Sequence, residues 1–492
     1  MALTQLPPTE PSAAAYEGIL RRQSARESAA RTYARSLPIV PVRARGLTIE
    51  GADGRRYLDC LSGAGSLALG HNHPVVLEAI RSVLDSGAPL HVLDLATPVK
   101  DAFTDELFAT LPRELAESGR IQFCGPAGTD AVEAAFKLVR TATGRDGLLA
   151  FTGAYHGMTE GALAASGAAP SVRVTRLPYP QDYRCPFGVG GESGARLAAR
   201  WTESLLDDPK SGVRRPAAMI VEPVQGEGGV LPAPEGWLRR MRELTAARSI
   251  PLIADEVQTG VGRTGAFWAV EHSGIVPDVM VLSKAIGGSL PLAVIVYRDD
   301  LDTWQPGDHA GTFRGNQLAM AAGAATLRHV RENGLAERAA SLGARMLERL
   351  RRMAGEYECI GEIRGAGLMI GIEFVAPEGE AGPAPEGHDA GAPDAWHRPG
   401  QEPGDNAATG PLPASPVRAA AVQRECLRRG LIVELGGRHS CVVRLLPPLT
   451  ITDEQTEAVL ERLADAVAAV CRPGRRIPAP STPKEAGAAS PA

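Results

Sequence analysis

Short apolar runs alternate with amphipathic stretches through residues 120–300. "AAMIVEPV", "IPLIADEV", "PDVMVLS" and "LAVIVYR" are nearly continuous runs of branched and aliphatic side chains, the pattern of strands buried on both faces. Between the first two, "EGWLRRMRELTAARS" places apolar residues three and four apart, which is helical spacing. This rhythm predicts crossover units: a mostly parallel sheet with helices on its faces. Upstream, "LTIEGADGRRYLDCL" reads as a hairpin turning at Asp53-Gly54, and "HPVVLEAIRSVLDSG" as a helix stopped by glycine. Downstream, helical periodicity covers 316 to about 355. An α+β portion then runs through "IGEIRGAGLMIGIEFV", a helix at 416–430, "GLIVEL", "CVVRLLPP" and a helix at 452–470.

The expected organisation is an N-terminal arm and hairpin (1–70) that joins a small domain, a large α/β domain (71–330) and a C-terminal small α+β domain (331–471). Residues 376–415 are crowded with proline, glycine and acids, so a disordered insertion is expected there, and a disordered tail over 472–492.

Composition changes this picture little. With 52 basic and 57 acidic side chains the net charge is −5, which argues against a nucleic-acid binder with a basic face. No apolar run reaches the roughly 20 residues of a membrane helix. "LRRQSARESAARTYARS" is basic, but Glu10, Glu17 and Glu27 interrupt the N-terminal region, and a cytoplasmic location is expected. Seven scattered cysteines without a CxxC suggest free thiols rather than a disulfide framework or zinc site. "HNH" at 71–73 lacks a third ligand at helical spacing, so no metal is expected.

"GVGRTG", Gly260 to Gly265, formally matches the dinucleotide pattern G-x-G-x-x-G. Its context fails. Asp255, Glu256 and Gln258 separate the glycines from the strand, and "AFWAVEHSG" is too short for the required helix. Asp255 and Lys284 are more telling, because each closely follows an apolar run, where ligands sit in open α/β sheets. A lone lysine there is costly to desolvate unless it is paired or uncharged. A Schiff-base lysine and an acid that keeps a pyridine nitrogen protonated are the two side chains that pyridoxal phosphate requires. "GPAGTDAVEAAFKLVRTATG" adds a helix whose N-terminus suits a phosphate. In "GAYHGMT", Tyr155 offers an aromatic plane for a cofactor ring.

Taken together, "GPAGTDAVEAA", "AYHG", "IVEPVQGEGG", "LIADEVQTGVGRTG", "VLSKAIGGSLPLA" and "GTFRGNQ" resemble the class III, fold-type-I pyridoxal-phosphate aminotransferases over about residues 40–470. Within that class, "HAGTFRGNQLAMAAG" and "LIVELGGRHSCVVRLLPPLTIT" are most similar to L-2,4-diaminobutyrate:2-oxoglutarate aminotransferases. Ornithine, acetylornithine and 4-aminobutyrate aminotransferases are more distant. The resemblance implies that Lys284 carries the cofactor and shuttles the proton, and that Asp255 pairs with the pyridinium. It implies that Gln258 touches the ring oxygen, Tyr155 stacks on the ring, and His156 belongs to the cofactor site. Gly128 and Thr129 would hold the phosphate, joined by Thr312 of a partner subunit in a homodimer or larger oligomer with shared sites. Glu222 and Arg444 would form a switch that selects between the amino donor and the 2-oxo acid. A mutase or decarboxylase on the same fold would keep Lys284 and Asp255 without needing a 2-oxoglutarate site. A catalytically silent binding protein would have lost these chemical residues, and none is missing.

Overall fold

The computed structural model describes residues 13–169, 171–377 and 410–471. Its central sheet has seven strands, in the order Gly119–Phe123, Val294–Arg298, Val279–Leu282, Leu252–Asp255, Ala218–Val221, Leu148–Phe151 and Val174–Leu177. From Val279–Leu282 to Val174–Leu177 every neighbour is parallel, while Val294–Arg298 runs against both its neighbours. The sheet is mixed and mostly parallel, as the apolar runs predict.

Alternate residues of one strand feed two separate cores. Val279 and Val281 pack with Val132, Phe136 and Ile253, on the side of the helix Gly128–Thr143. Met280 and Leu282 pack with Trp237, Met241 and Ala254, on the side of the helix Glu235–Ala247. A strand covered on both faces needs apolar residues at every position, which is why the strand sequences show no polar alternation.

The hairpin forms as expected, with Thr48–Gly51 antiparallel to Arg56–Asp59. Its outer strand then pairs in parallel with Leu431–Ile432, tying the N-terminal segment to the C-terminal one. A second antiparallel sheet follows the order Ile360–Ala366, Met369–Phe374, Val442–Leu445, Glu434–Gly436. Ala376 N–H donates to the Pro413 carbonyl at 2.8 Å, so the chain leaves and re-enters this region at one place. The expected disorder at 376–415 fails at its two ends, where residues 376–377 and 410–415 are described and hydrogen-bonded to this sheet, while 378–409 and the tail 472–492 lie outside the described residues.

The cysteine reading needs correction. Cys359 and Cys471 form a disulfide, with Cα atoms 6.5 Å apart. The end of the helix Asp453–Val470 returns to the start of the strand Ile360–Ala366, a proximity that a sequence separation of 112 concealed. The other five cysteines are free. After "GVGRTG" the chain makes only the short 3-10 turn Ala269–Ser273, so no dinucleotide-type helix follows. His71 pairs with Asp59 at 2.8 Å, and His73 precedes the helix Pro74–Asp85. Among the described residues, no helix is long and apolar enough to cross a membrane.

Candidate active site

The strands Leu252–Asp255 and Val279–Leu282 both end at a cavity of about 310 Å3. Asp255, Val257, Gln258, Lys284, Tyr155 and Gly128 are among its walls. The parallel register places Asp255 beside Val281, three residues before Lys284, so the two groups stand at the ends of neighbouring strands. Lys284 follows in a left-handed backbone conformation, φ 50°, which is costly for a lysine and held by its surroundings. Burial lowers the pKa of its amine, while Glu227 and Asp255 raise it and Arg444 lowers it further. The net direction is towards the neutral, nucleophilic form.

Asp255 is held from two sides. Its Oδ1 accepts from Val257 N–H at 3.1 Å, and its Oδ2 lies 2.7 Å from His156 Nδ1. Burial works against a charged His156, but the hydrogen bond and charge of Asp255, with the charge of Glu222, raise its pKa overall. Its other ring nitrogen, Nε2, is buried without a partner.

The alternation in "DEVQ" sorts these side chains. Asp255 and Val257 reach the cavity, while Glu256 points into the protein, where Oε1 accepts from Val270 N–H at 2.8 Å. Gln258 donates to the Ala64 carbonyl at 3.0 Å. It also explains a glycine: a Cβ on Gly226 would fall 1.8 Å from Gln258 Oε1. At the cavity's other end, Gly128 and Thr129 begin the helix Gly128–Thr143, whose first turn presents free N–H groups. A Cβ on Gly128 would meet Val257 Cγ1 at 3.0 Å, so the close approach of backbone and valine favours glycine there.

Glu222 departs from its expected role. It lines the cavity, yet Oε1 accepts from Tyr155 N–H at 2.9 Å and Oε2 from Gly226 N–H at 3.1 Å. Both oxygens are occupied in joining two loops, and burial pushes the carboxyl pKa up. Arg444, fully buried on the strand Val442–Leu445, pairs instead with Glu227 at 2.8 Å and Glu434 at 2.7 Å, both through Nη2. The expected Glu222–Arg444 pair is therefore replaced by Glu227–Arg444, with Glu434 as a third member. Sequence reasoning missed both acids. Glu227 sat inside the quoted "IVEPVQGEGG", five positions beyond the acid that was chosen. Glu434 could have been found from strand register, since it stands opposite Arg444.

Thr312 is not among the residues lining this cavity. It borders a second cavity of about 400 Å3 with Leu90, Leu93, Phe313 and Arg314.

The aminotransferase class-III family profile matches residues 29–467. The chain belongs to the class-III aminotransferases. It is 53% identical over 457 residues to a diaminobutyrate–2-oxoglutarate aminotransferase of Rhizobium meliloti (strain 1021), covering 91% of this chain and 92% of that protein. A Haemophilus influenzae protein of the same description is 45% identical, with 94% and 98% covered. Among solved structures, an amine transaminase from an uncultivated Pseudomonas species with pyridoxal phosphate bound matches with TM-score 0.75 and 28% identity, covering 90% of this chain and 98% of that one. A thermostable (S)-enantioselective ω-transaminase from Thermomicrobium roseum matches with TM-score 0.76 and 26% identity, with 92% and 98% covered. The fold is that of the fold-type-I transaminases.

The enzyme acts with pyridoxal 5′-phosphate, on an amino donor and a 2-oxo acid. The cavity fits that cofactor on its own chemistry: an amine of lowered pKa, a fixed carboxylate one strand away, an exposed aromatic ring and a helix N-terminus for the phosphate.

Proposed function

We propose that this aminotransferase moves the terminal amino group of L-2,4-diaminobutyrate to 2-oxoglutarate, reversibly, giving L-aspartate 4-semialdehyde and L-glutamate. The observation that carries this reading is the Arg444–Glu227 pair, whose acid lines the same cavity as Lys284. Glutamate brings its α-carboxylate to the reacting carbon, whereas a terminal amine brings none. One pocket must therefore offer a cation in one half-reaction and hide it in the other. Arg444 Nε and Nη1 are buried without hydrogen-bond partners, and each shares an edge of the guanidinium with Nη2, so a carboxylate that displaces Glu227 from Nη2 can be held there by two parallel bonds. Glu227, about one-third exposed and on the cavity wall, is the acid free to swing aside. When the diamine is bound, Glu227 keeps the guanidinium from being a buried, unpaired charge. The Rhizobium and Haemophilus relatives, diaminobutyrate–2-oxoglutarate aminotransferases by name, support the same substrates.

Bound pyridoxal phosphate supplies the electron sink for the amine transfer. Lys284 Nζ would hold the cofactor and would take and return the substrate proton, a task suited to an amine whose pKa burial has lowered. Asp255 sets the charge at the ring nitrogen, and His156 fixes Asp255 from behind. Tyr155 would cover one side of the ring, and Gly128, with Val257 packed against it, would hold the phosphate end. Gln258 would serve the ring oxygen, and Glu222 ties the Tyr155 loop to the loop that carries Glu227.

The reading includes a homodimer with shared sites and a cytoplasmic location. Exposed Leu90, Leu93 and Phe313 beside Thr312 support an interface there. Screening amine donors against 2-oxoglutarate, with glutamate measured as product, tests the substrate assignment. Faster turnover of ornithine, acetylornithine or 4-aminobutyrate than of diaminobutyrate would replace it with another terminal-amine specificity.

A further inference from the structure

Arg444 is held by more negative charge than it needs. Glu227 Oε1 accepts a hydrogen bond from Nη2 at 2.8 Å. Glu434 Oε2 lies 2.7 Å from the same nitrogen, at an angle that makes no hydrogen bond, and is otherwise buried without a partner. One guanidinium thus faces two carboxylates, so the cluster carries a surplus negative charge when both are ionised. An arginine switch needs only one acid to cover the guanidinium. The second acid calls for another cation.

Glu434 also faces a place for that cation. Beyond it lies a cavity of about 150 Å3 whose polar walls include Thr32, Tyr33, Ser36 and Gln423. Tyr33 shares the wall of this cavity with Glu434. The walls of this cavity contain oxygen acceptors and no lysine, arginine or histidine. An ammonium, which donates three hydrogen bonds and accepts none, matches such walls. Burial, then the like charge of Glu227, pushes the Glu434 carboxyl towards its protonated form, while Arg444 opposes this. An entering cation would restore the charged form. Glu434 and Glu227 meet at one nitrogen, Arg444 Nη2, and Glu227 lines the cavity that holds Lys284, so Glu434 stands next to that cavity.

We propose that Glu434, with the hydroxyl of Tyr33, is the subsite for the second ammonium of the amino donor, and that it selects diamines over monoamines. This rests on the terminal-amine reading above and assigns the part of the pocket that reads the donor's far end. Glu227 opens and closes Arg444 for the acceptor. Glu434 stays in place for the donor.

The test compares two donors of equal length, L-2,4-diaminobutyrate and 4-aminobutyrate, which differ only by that ammonium. Half-reactions of the holoenzyme are followed by the cofactor's absorbance in wild type, Glu434→Gln and Glu434→Asp. In Glu434→Gln the apparent dissociation constant for diaminobutyrate should rise at least about tenfold more than that for 4-aminobutyrate, as expected for loss of a charged hydrogen bond. Glu434→Asp should recover part of the difference. Calorimetric binding of diaminobutyrate to Lys284→Ala protein, with and without Glu434→Gln, should show the same loss in the absence of turnover. Equal changes for both donors, or none, would overturn the subsite. If wild type makes no glutamate from diaminobutyrate, the substrate reading fails instead. Ornithine and 5-aminopentanoate, which also differ by one α-ammonium, then put the same question to Glu434.

Discussion

Glu227 Oε1 and Arg444 Nη2 lie 2.8 Å apart, joining the loop after Val224–Gln225 to a strand of the C-terminal sheet. The arginine is fully buried, while its partner is about one-third exposed on the cavity wall. Arg444→Lys keeps the charge but loses the planar fork, so the 2-oxoglutarate half-reaction should weaken by about 1–3 kcal/mol. The diamine half-reaction should suffer much less. Glu227→Gln should act in the opposite sense, leaving the guanidinium free for glutamate and disfavouring the diamine. Stopped-flow measurement of each half-reaction separates the two. Equal losses in both halves for either variant would mean that the pair is not the switch.

Asp255 and His156 form the second buried pair, at 2.7 Å. Asp255→Asn preserves shape and the cavity's capacity to hold the cofactor, but removes the charge at the ring nitrogen. Single-turnover rates should fall on the order of a hundredfold or more, the scale of a lost proton-linked catalytic group. The same change removes the charge that helps raise the His156 pKa, so its titration, followed by NMR, should move down. Near-normal single-turnover rates would remove Asp255 from the chemistry.

The chemistry of the site was legible because the strands end where their apolar runs end. "PLIAD" and "VMVLSK" stop at the residues that enter the cavity, and parallel pairing brings those ends together. The arginine's partner was not legible in the same way. "IVEPVQGEGG" contains two acids five residues apart, and the tight backbone turns after Glu222 decide which one faces Arg444. Periodicity carries no information about such loops. Glu434 was hidden by a different cause, since it lies in a strand of only three residues, Glu434–Gly436, too short to show alternation. The Cys359–Cys471 contact depends on how the last helix packs, a long-range relation that spacing alone does not encode.

Glu256 gives a pH prediction. Burial raises its carboxyl pKa to about 7, against the lowering effect of its bonds from Thr259 and Val270. The native state therefore binds this proton more tightly than the unfolded chain does. Its stabilising contribution is present below the ordinary glutamate pKa and is lost as pH climbs through 7. Glu256→Gln retains the shape and an acceptor for Val270 N–H while removing the titration. The Tm of the variant should gain on that of wild type between about pH 5 and pH 8, by an amount on the order of 3 kcal/mol in unfolding free energy. Parallel Tm profiles over that range would show that Glu256 does not titrate as its burial requires.

Thr312 tests the shared-site dimer. Within one subunit it lies on a different cavity from Lys284, so its expected contact with the cofactor phosphate requires a neighbouring copy. Lys284→Ala should abolish turnover, and borohydride reduction of wild type should fix the cofactor to the peptide containing residue 284. Thr312→Trp should exclude the phosphate and be inactive for a different reason. In a hybrid dimer, one site combines both defects, while the other takes its lysine from the Thr312→Trp subunit and its threonine from the Lys284→Ala subunit. Refolding the two variants together in equal amounts should therefore restore about a quarter of wild-type activity, since half the dimers are hybrids with one intact site each. If mass spectrometry shows hybrids and activity stays absent, each site is built within one subunit, and Thr312 does not cross to its partner.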